Sequence, residues 1–194
     1  MQNNFYEING DTNIDINNNQ NLNMIFFVND TTKNTININL QNNVNLNSFI
    51  TIINNKVQKF IDINVNCLGS NITANVRATS LNLKGSSTQL NINGIANKSI
   101  NSEMNIFIDG IIDSNDAKFI GCPKFILNTN EVKATHGLVI GKVNENEMNY
   151  LMSRGMDQFE SKLMIISNKI FNCLNNLDES KKNYYKKRIK DMWG

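Results

Sequence analysis

Between Phe5 and about Ile140 the chain alternates apolar and polar residues with a period of two. Ile36-Asn37-Ile38-Asn39-Leu40, Val44-Asn45-Leu46, Ile61-Asp62-Ile63-Asn64-Val65, Leu81-Asn82-Leu83 and Leu90-Asn91-Ile92 each put an apolar set on one side and Asn or Asp on the other. Successive side chains of an extended strand point to opposite faces, so the alternation predicts half-buried strands with an amide-lined outer face. By this pattern the strands run for ~3–7 residues and recur every ~8–12. Asn9-Gly10-Asp11, Asn29-Asp30, Gly69-Ser70-Asn71, Gly85-Ser86-Ser87 and Asp109-Gly110 punctuate them as turns.

Short strands joined by polar turns fit a sandwich, a barrel or a β-solenoid. The Asn residues favour the solenoid. In stacked coils each strand pairs with the next about 4.8 Å away, so repeated Asn side chains can link as amide ladders. Asn also tolerates the left-handed backbone that tight coil corners require. No strict repeat length is visible, so the residues alone leave the three architectures open.

Near Val143 the period changes. Asn144 followed by Glu147 forms a capping-box pattern, Met148, Leu151 and Met152 form a helical stripe, and Gly155 supplies a left-handed stop. Asp157 with Glu160 repeats the box. Phe159, Leu163, Ile166, Ile170, Leu174 and Leu177 then recur at steps of three or four, which predicts an amphipathic helix of about 20 residues. Asp178 and Glu179 can start a third helix with Tyr185, Ile189 and Met192 on its apolar side. Residues 1–143 therefore read as β and 144–194 as a helical appendage.

Composition narrows the class. The 194 residues suit one domain, or one with a small appendage, and can bury a core without disulfide staples. About 40 are Asn, beside a single Pro. A low-GC coding sequence inflates Asn, Ile and Lys together, so the placement of the Asn residues says more than their number. The Ile, Leu and Val interleaved with them argue against simple disorder. A net charge of +2 with 19% charged residues excludes a histone-like nucleic-acid binder and an acidic-tail protein. No run approaches the ~18 apolar residues of a membrane helix. Met1-Gln2-Asn3-Asn4 lacks the layout of a secretory signal. Three widely spaced Cys encode neither a disulfide framework nor a CxxC knuckle. The expected setting is reducing and cytoplasmic, or plastid-type.

The catalytic search is mostly empty: the chain has no GxSxG, no phosphate-binding loop and no HExxH. Asp113 and Asp116 lie on an expected turn, and one His cannot build most zinc hydrolase sites. The expectation is a protein that is not an enzyme. The basic tail from Lys181 to Lys190, with Tyr184 and Tyr185 interleaved, could meet nucleic-acid phosphates but more often marks the solvated face of a terminal helix. The three Asn-x-Ser/Thr sequons, at Asn29, Asn71 and Asn97, are explained by chance in so Asn-rich a chain.

The most specific string is Glu131-Val132-Lys133-Ala134-Thr135-His136-Gly137-Leu138-Val139-Ile140-Gly141, then Tyr150-Leu151-Met152-Ser153-Arg154-Gly155-Met156. It resembles the C-terminal signature of the SufB/SufD family, the scaffold subunits of the SUF iron–sulfur cluster assembly machinery. In that family a last strand with a Ser-His-Gly or Glu-His-Glu core leads into a helix ending Tyr-Leu-x-Ser-Arg-Gly, followed by a long amphipathic helix. Pro123 also falls where the family tends to place a Pro. The resemblance covers about residues 118–175, and the Thr-His-Gly form is more similar to SufD than to SufB.

The resemblance implies a mainly β fold. It points to a right-handed parallel β-helix over residues 1–143, of six or seven coils at ~20 residues each, with a helical docking module at 144–194. It implies a scaffold subunit that pairs with a SufB-type subunit or with itself, through strands at an open solenoid edge, and docks a SufC-type ATPase. It also implies a transient iron–sulfur cluster at a subunit interface, none being held by this chain alone. Family members usually carry an N-terminal helical region and are about twice this length, so a minimal version is expected. The cluster-building cysteine of SufB-type proteins lies well before the Pro, whereas Cys122 is adjacent to Pro123, so that role does not transfer.

Under this resemblance His136, the only histidine, becomes a candidate ligand at the interface, because neutral imidazole coordinates iron near pH 7. The remaining ligands must come from a partner chain. Cys122, expected at a coil corner and exposed, is a weaker candidate. Cys67 shares the parity of Ile61, Ile63 and Val65 and reads as core, and Cys173 adjoins the apolar seam of the long helix. Tyr150, Leu151, Arg154, Gly155, Phe159 and Leu163 become the ATPase-docking candidates, with Met164 and Phe171 beside them. Burial of the same stripe against the β-helix end is the competing structural reading. Two other functional readings stand beside the scaffold: a β-solenoid carbohydrate-active or adhesive protein, which would need converging carboxylates or an aromatic groove, and a degenerate family fragment with a structural role only.

Overall fold

The computed structural model describes residues 2–28, 32–171 and 179–193. Eleven strands come first: β1 (Gln2–Ile8), β2 (Thr12–Ile16), β3 (Asn21–Val28), β4 (Lys33–Leu40), β5 (Asn45–Asn54), β6 (Gln58–Cys67), β7 (Thr73–Asn82), β8 (Ser87–Ala96), β9 (Ser102–Ile112), β10 (Lys118–Leu127) and β11 (Val132–Gly141). Three helices follow: α1 (Glu145–Ser153), α2 (Gln158–Phe171) and α3 (Glu179–Trp193). Leu174, Leu177 and Asp178, and the side chains of Tyr185, Ile189 and Met192, lie outside what is described.

All strand pairing is parallel, and odd and even strands sort into two sheets, β1-β3-β5-β7-β9-β11 and β10-β8-β6-β4-β2. Each coil gives one strand to each sheet, so the molecule is a flattened parallel β-solenoid, not a sandwich or barrel. The step from one coil to the next widens along the chain, from 20 residues between Asn3 and Asn23 to 24 between Asn13 and Asn37, and to 31 between Asn97 and Asn128. That drift explains why no fixed repeat is visible in the sequence. It also corrects the expected six or seven coils of ~20 residues: five strand pairs and the single strand β11 use up the β region.

Strands also run longer than expected, up to 11 residues in β9. The alternation breaks into continuous apolar runs where a second layer covers the outer face. Met24 to Val28 are all buried because their two side-chain sets enter different cores. One core, between the sheets, takes Met24, Phe26 and Val28 with Ile36, Ile63, Ile92 and Ile108. The other, on the outer face of the six-stranded sheet, packs Ile25, Phe27, Ile53, Leu81 and Ile111 against Ile165, Ile166 and Ile170 of α2. The helix thus lies on the flank of the solenoid, not over its end. Lys162 of α2 forms an ion pair with Asp113 of the β9–β10 corner.

The Asn residues behave as stacked coils require. On the five-stranded sheet Asn37, Asn64 and Asn93 each donate an amide hydrogen to the preceding Asn, at 2.6, 2.8 and 2.7 Å, making one ladder from Asn13 to Asn93. A second ladder runs up the corners. Asn19, Asn43, Asn71 and Asn101 all have left-handed backbone, with φ of 62, 58, 56 and 50°, and their side chains link at 2.8, 3.0 and 3.0 Å. Asn is among the few residues that accept that backbone at modest cost while also offering a donor and an acceptor. The expected turn at Asp109-Gly110 is not one: both residues lie inside β9. Gly110 is there for packing, since a Cβ at this position would sit 2.3 Å from the Phe119 ring. Asn29 and Asp30 lie outside the described residues.

Candidate functional site

His136 sits in the middle of β11, the last strand of the six-stranded sheet. Its register column is Met24, Ser48, Val76, Ile106, His136. The first four point into the core and are buried, yet His136 is exposed. The reason is topological. After β11 the chain enters α1, so no further strand of the five-stranded sheet closes over this coil. An imidazole can occupy what would be a core position because the coil that would bury it is missing. Its ring contacts that of Phe125, with centroids 5.6 Å apart.

The same open end exposes apolar side chains that elsewhere in the solenoid would be covered. Leu138 and Ile140 of β11, at core columns, are 39% and 45% exposed, while Val139 and, on β10, Ile120 and Ile126 are exposed on the outer faces. Both strands are sheet edges. β10 carries Pro123, Lys118 and Lys124, residues that hinder indiscriminate edge pairing.

Cys122 is not at a corner as expected; it lies within β10 and pairs in register with Asn91. It is exposed, but on the outer face. Phe125, the neighbour of His136, has inward parity, because its ring fills the space where Gly94 lacks a side chain. The fold therefore does not bring Cys122 and His136 together. Cys67 closes the buried column Leu40–Cys67–Ala96, and burial pushes its thiol up to about 12, which disfavours the thiolate a metal would need. Cys173 lies outside the described residues. Among the described residues no three His, Cys, Asp or Glu side chains are grouped so as to hold a metal ion.

Gly137 beside His136 lacks a side chain for a local reason: a Cβ there would lie 2.9 Å from the ring of Phe107 on β9. Phe107 in turn carries the guanidinium of Arg77, 4.9 Å from its centroid. Sequence reasoning passed over Arg77. Its only signal was a lone cation in an otherwise Asn- and Thr-rich stretch, and only the register shows that it lies between Phe49 and Phe107.

The helical candidates divide into two sets. Asn144 caps α1 by accepting from the backbone N–H groups of Asn146 and Glu147, and Gly155 closes it with φ 91°. Asp157 caps α2 through the Glu160 N–H at 2.7 Å. Leu151 and Leu163 are half-buried against the flank cluster, together with Met148. Tyr150, Met152, Phe159 and Met164 face outward, and Arg154 folds over the Tyr150 ring and donates to its hydroxyl at 3.3 Å. The stripe that the sequence leaves unapportioned thus has a buried half, Ile166 and Ile170, and an exposed half centred on Tyr150 and Phe159.

A parallel β-solenoid with a helical flank and one imidazole at its open end defines the class. Residues 95–169, from the last two residues of β8 through most of α2, match the family model described as SUF system FeS cluster assembly, SufBD core domain. That stretch is similar to the core domain of the SufB and SufD iron–sulfur cluster assembly proteins. The match spans about two-fifths of the chain, and the coils before it continue the same architecture. No curated protein matches the sequence. No helix among the described residues is long and apolar enough to cross a membrane.

Proposed function

We propose that this chain is a non-catalytic scaffold subunit of a SUF-type assembly complex. Its open end pairs with a SufB-type subunit or with a second copy of itself, and His136 lies in that junction as one ligand for the cluster being built. The cluster is cargo, not a resident group, and the other ligands come from the partner. The observation that carries this reading is the composition of the last coil. An otherwise self-satisfied solenoid ends in an edge strand, β11, that bears exposed Leu138 and Ile140 on the same face as an imidazole at a core position. A contiguous apolar patch on an edge favours association.

The exposed half of the helical stripe, Tyr150, Arg154 and Phe159 with Met164, is the docking face for a SufC-type ATPase. Leu151, Gly155 and Leu163 shape that face from beneath by fixing α1 and α2 on the flank cluster. The ATPase supplies the nucleotide cycle. Its motion, passed through α1 and α2, opens and closes the junction at β11.

The test is co-expression with an ATPase and a scaffold subunit from the same genome, followed by size-exclusion chromatography and iron and sulfide assays. The expected result is a complex whose cluster yield drops on His136→Ala while its elution volume stays fixed. A chain that elutes alone with both candidates, or a complex whose yield is unchanged in the variant, removes the proposal.

A further inference from the structure

Arg77 lies on the outer face of the six-stranded sheet, in a register row that runs Phe49, Arg77, Phe107, Gly137 across four consecutive strands. The missing side chain at Gly137 gives the Phe107 ring room to lie flat along the row. Arg77 reaches over that ring, with Phe49 on its other side. Next to this row runs the ladder Asn47–Asn75–Asn105, linked at 3.0 Å per step and closed by the Thr135 hydroxyl, which donates to Asn105. Row and ladder together floor a hollow of about 510 Å³. That lies within the size range of small-molecule sites, roughly 300–1,000 Å³.

The charges in this hollow are unbalanced. Among the described residues the Arg77 guanidinium engages only the Phe107 ring. The two nearest carboxylates on β9 are otherwise placed. Glu103 accepts from the Asn105 amide at 2.9 Å, and Asp109 lies one outward position beyond Phe107, in register with Thr79, without an ion pair to Arg77. The Arg77 side chain is exposed in this hollow, so its N–H donors remain open to an incoming anion. Its N–H donors match a carboxylate or phosphate in bidentate fashion. The rings of Phe49 and Phe107 offer flat apolar surface on either side.

We propose that this hollow binds a small anion, a carboxylate or phosphate monoester carried on a flat apolar body, with Arg77 taking the anionic head and Phe49 and Phe107 the body. His136 of β11 also lines the hollow, but the inference does not rest on the scaffold reading, since the anion is placed on Arg77, Phe49 and Phe107. The probes are benzoate and phenyl phosphate, with acetate, inorganic phosphate and benzyl alcohol as fragments, followed by ligand-observed NMR on the full chain. At least one aryl anion should bind saturably. Its matching fragment, acetate or inorganic phosphate, should bind at least about tenfold more weakly for want of the apolar body. Arg77→Gln, an exposed position whose variant should keep the parent melting temperature, should weaken the aryl anion by at least about tenfold. Preference for benzoate or for phenyl phosphate names the head group. Absence of saturable binding by both aryl anions, equal binding by Arg77→Gln, or equal binding of benzyl alcohol overturns the proposal.

Discussion

Asn71 carries two loads at once, and they can be separated. Its backbone is left-handed at φ 56°. Its side chain donates to Asn43 at 3.0 Å and accepts from Asn101 at 3.0 Å. Replacing it with Ala removes both amide bonds and leaves a β-carbon in a backbone region that disfavours one. The site is exposed, so each bond contributes at the low end of the net range, about 0.5 kcal/mol. The left-handed backbone costs an ordinary L-residue about 1–2 kcal/mol, and Asn offsets part of that. Asn71→Ala should therefore lose about 2 kcal/mol. Asn71→Gly loses the same bonds without the steric term. Its extra unfolded-state entropy takes back part of the gain, so about 1 kcal/mol is expected. Urea unfolding followed by far-UV circular dichroism reads both as midpoint shifts at constant slope. Equal losses for Ala and Gly would show that corner geometry is not what Asn supplies. Losses near zero for both would show that the ladder contributes nothing.

Other expectations follow from single contacts. Gly110→Ala places a Cβ 2.3 Å from the Phe119 ring and should cost about 1–3 kcal/mol by overpacking, measured as a lower melting temperature. Burial raises the Cys67 thiol from 9.0 to about 12, so the unfolded chain ionises first. Stability is then intact below pH 9 and falls between 9 and about 12, by up to about 1.4 kcal/mol per pH unit. Cys67→Ala should flatten that part of the curve relative to the parent, and parallel curves would count against it. Asp113→Asn removes the charge that pairs with Lys162, so α2 should exchange its amide hydrogens faster while β4 to β8 stay protected. Unchanged exchange in α2 would show that the apolar flank alone holds the helix.

The period-two pattern made the strands and their inward faces legible, because a solenoid strand buries one side and the sequence must say which. Cys67 was placed in the core on parity alone, and it is there. Both helix caps, Asn144 and Asp157, were also readable, since capping is a local interaction over three residues. Corners were read less well. Asn17-Asn18-Asn19 and Gln41-Asn42-Asn43 form corners without Gly or Pro, so the usual punctuation marks are absent, whereas Asp109-Gly110 has the marks and is strand. Coil length could not be read either, because it drifts from 20 to 31 residues between the two ends of the solenoid. Which half of the α2 stripe is buried depends on where the helix lies across a sheet, and no local pattern encodes that.

The position of His136 follows from how a solenoid meets its own backbone needs. In the middle coils every strand has a neighbour on both sides and the Asn side chains pair with those above and below, so little there is available for a partner. Only the ends have open backbone, and an end made of more Asn rungs would template unlimited stacking. The last coil departs from the pattern at several columns. Asn91 is followed by Cys122, Asn93 by Lys124 and Asn105 by Thr135 on the outside, and Ile106 by His136 on the inside. Lys124 and Pro123 oppose generic addition of another strand on β10, while Leu138 and Ile140 keep an apolar surface on β11 for a partner that fits. Such an end is selective where an amide-only end would be permissive. A selective end can hold one imidazole at a fixed distance from a second chain, and the proposed assembly role requires that placement.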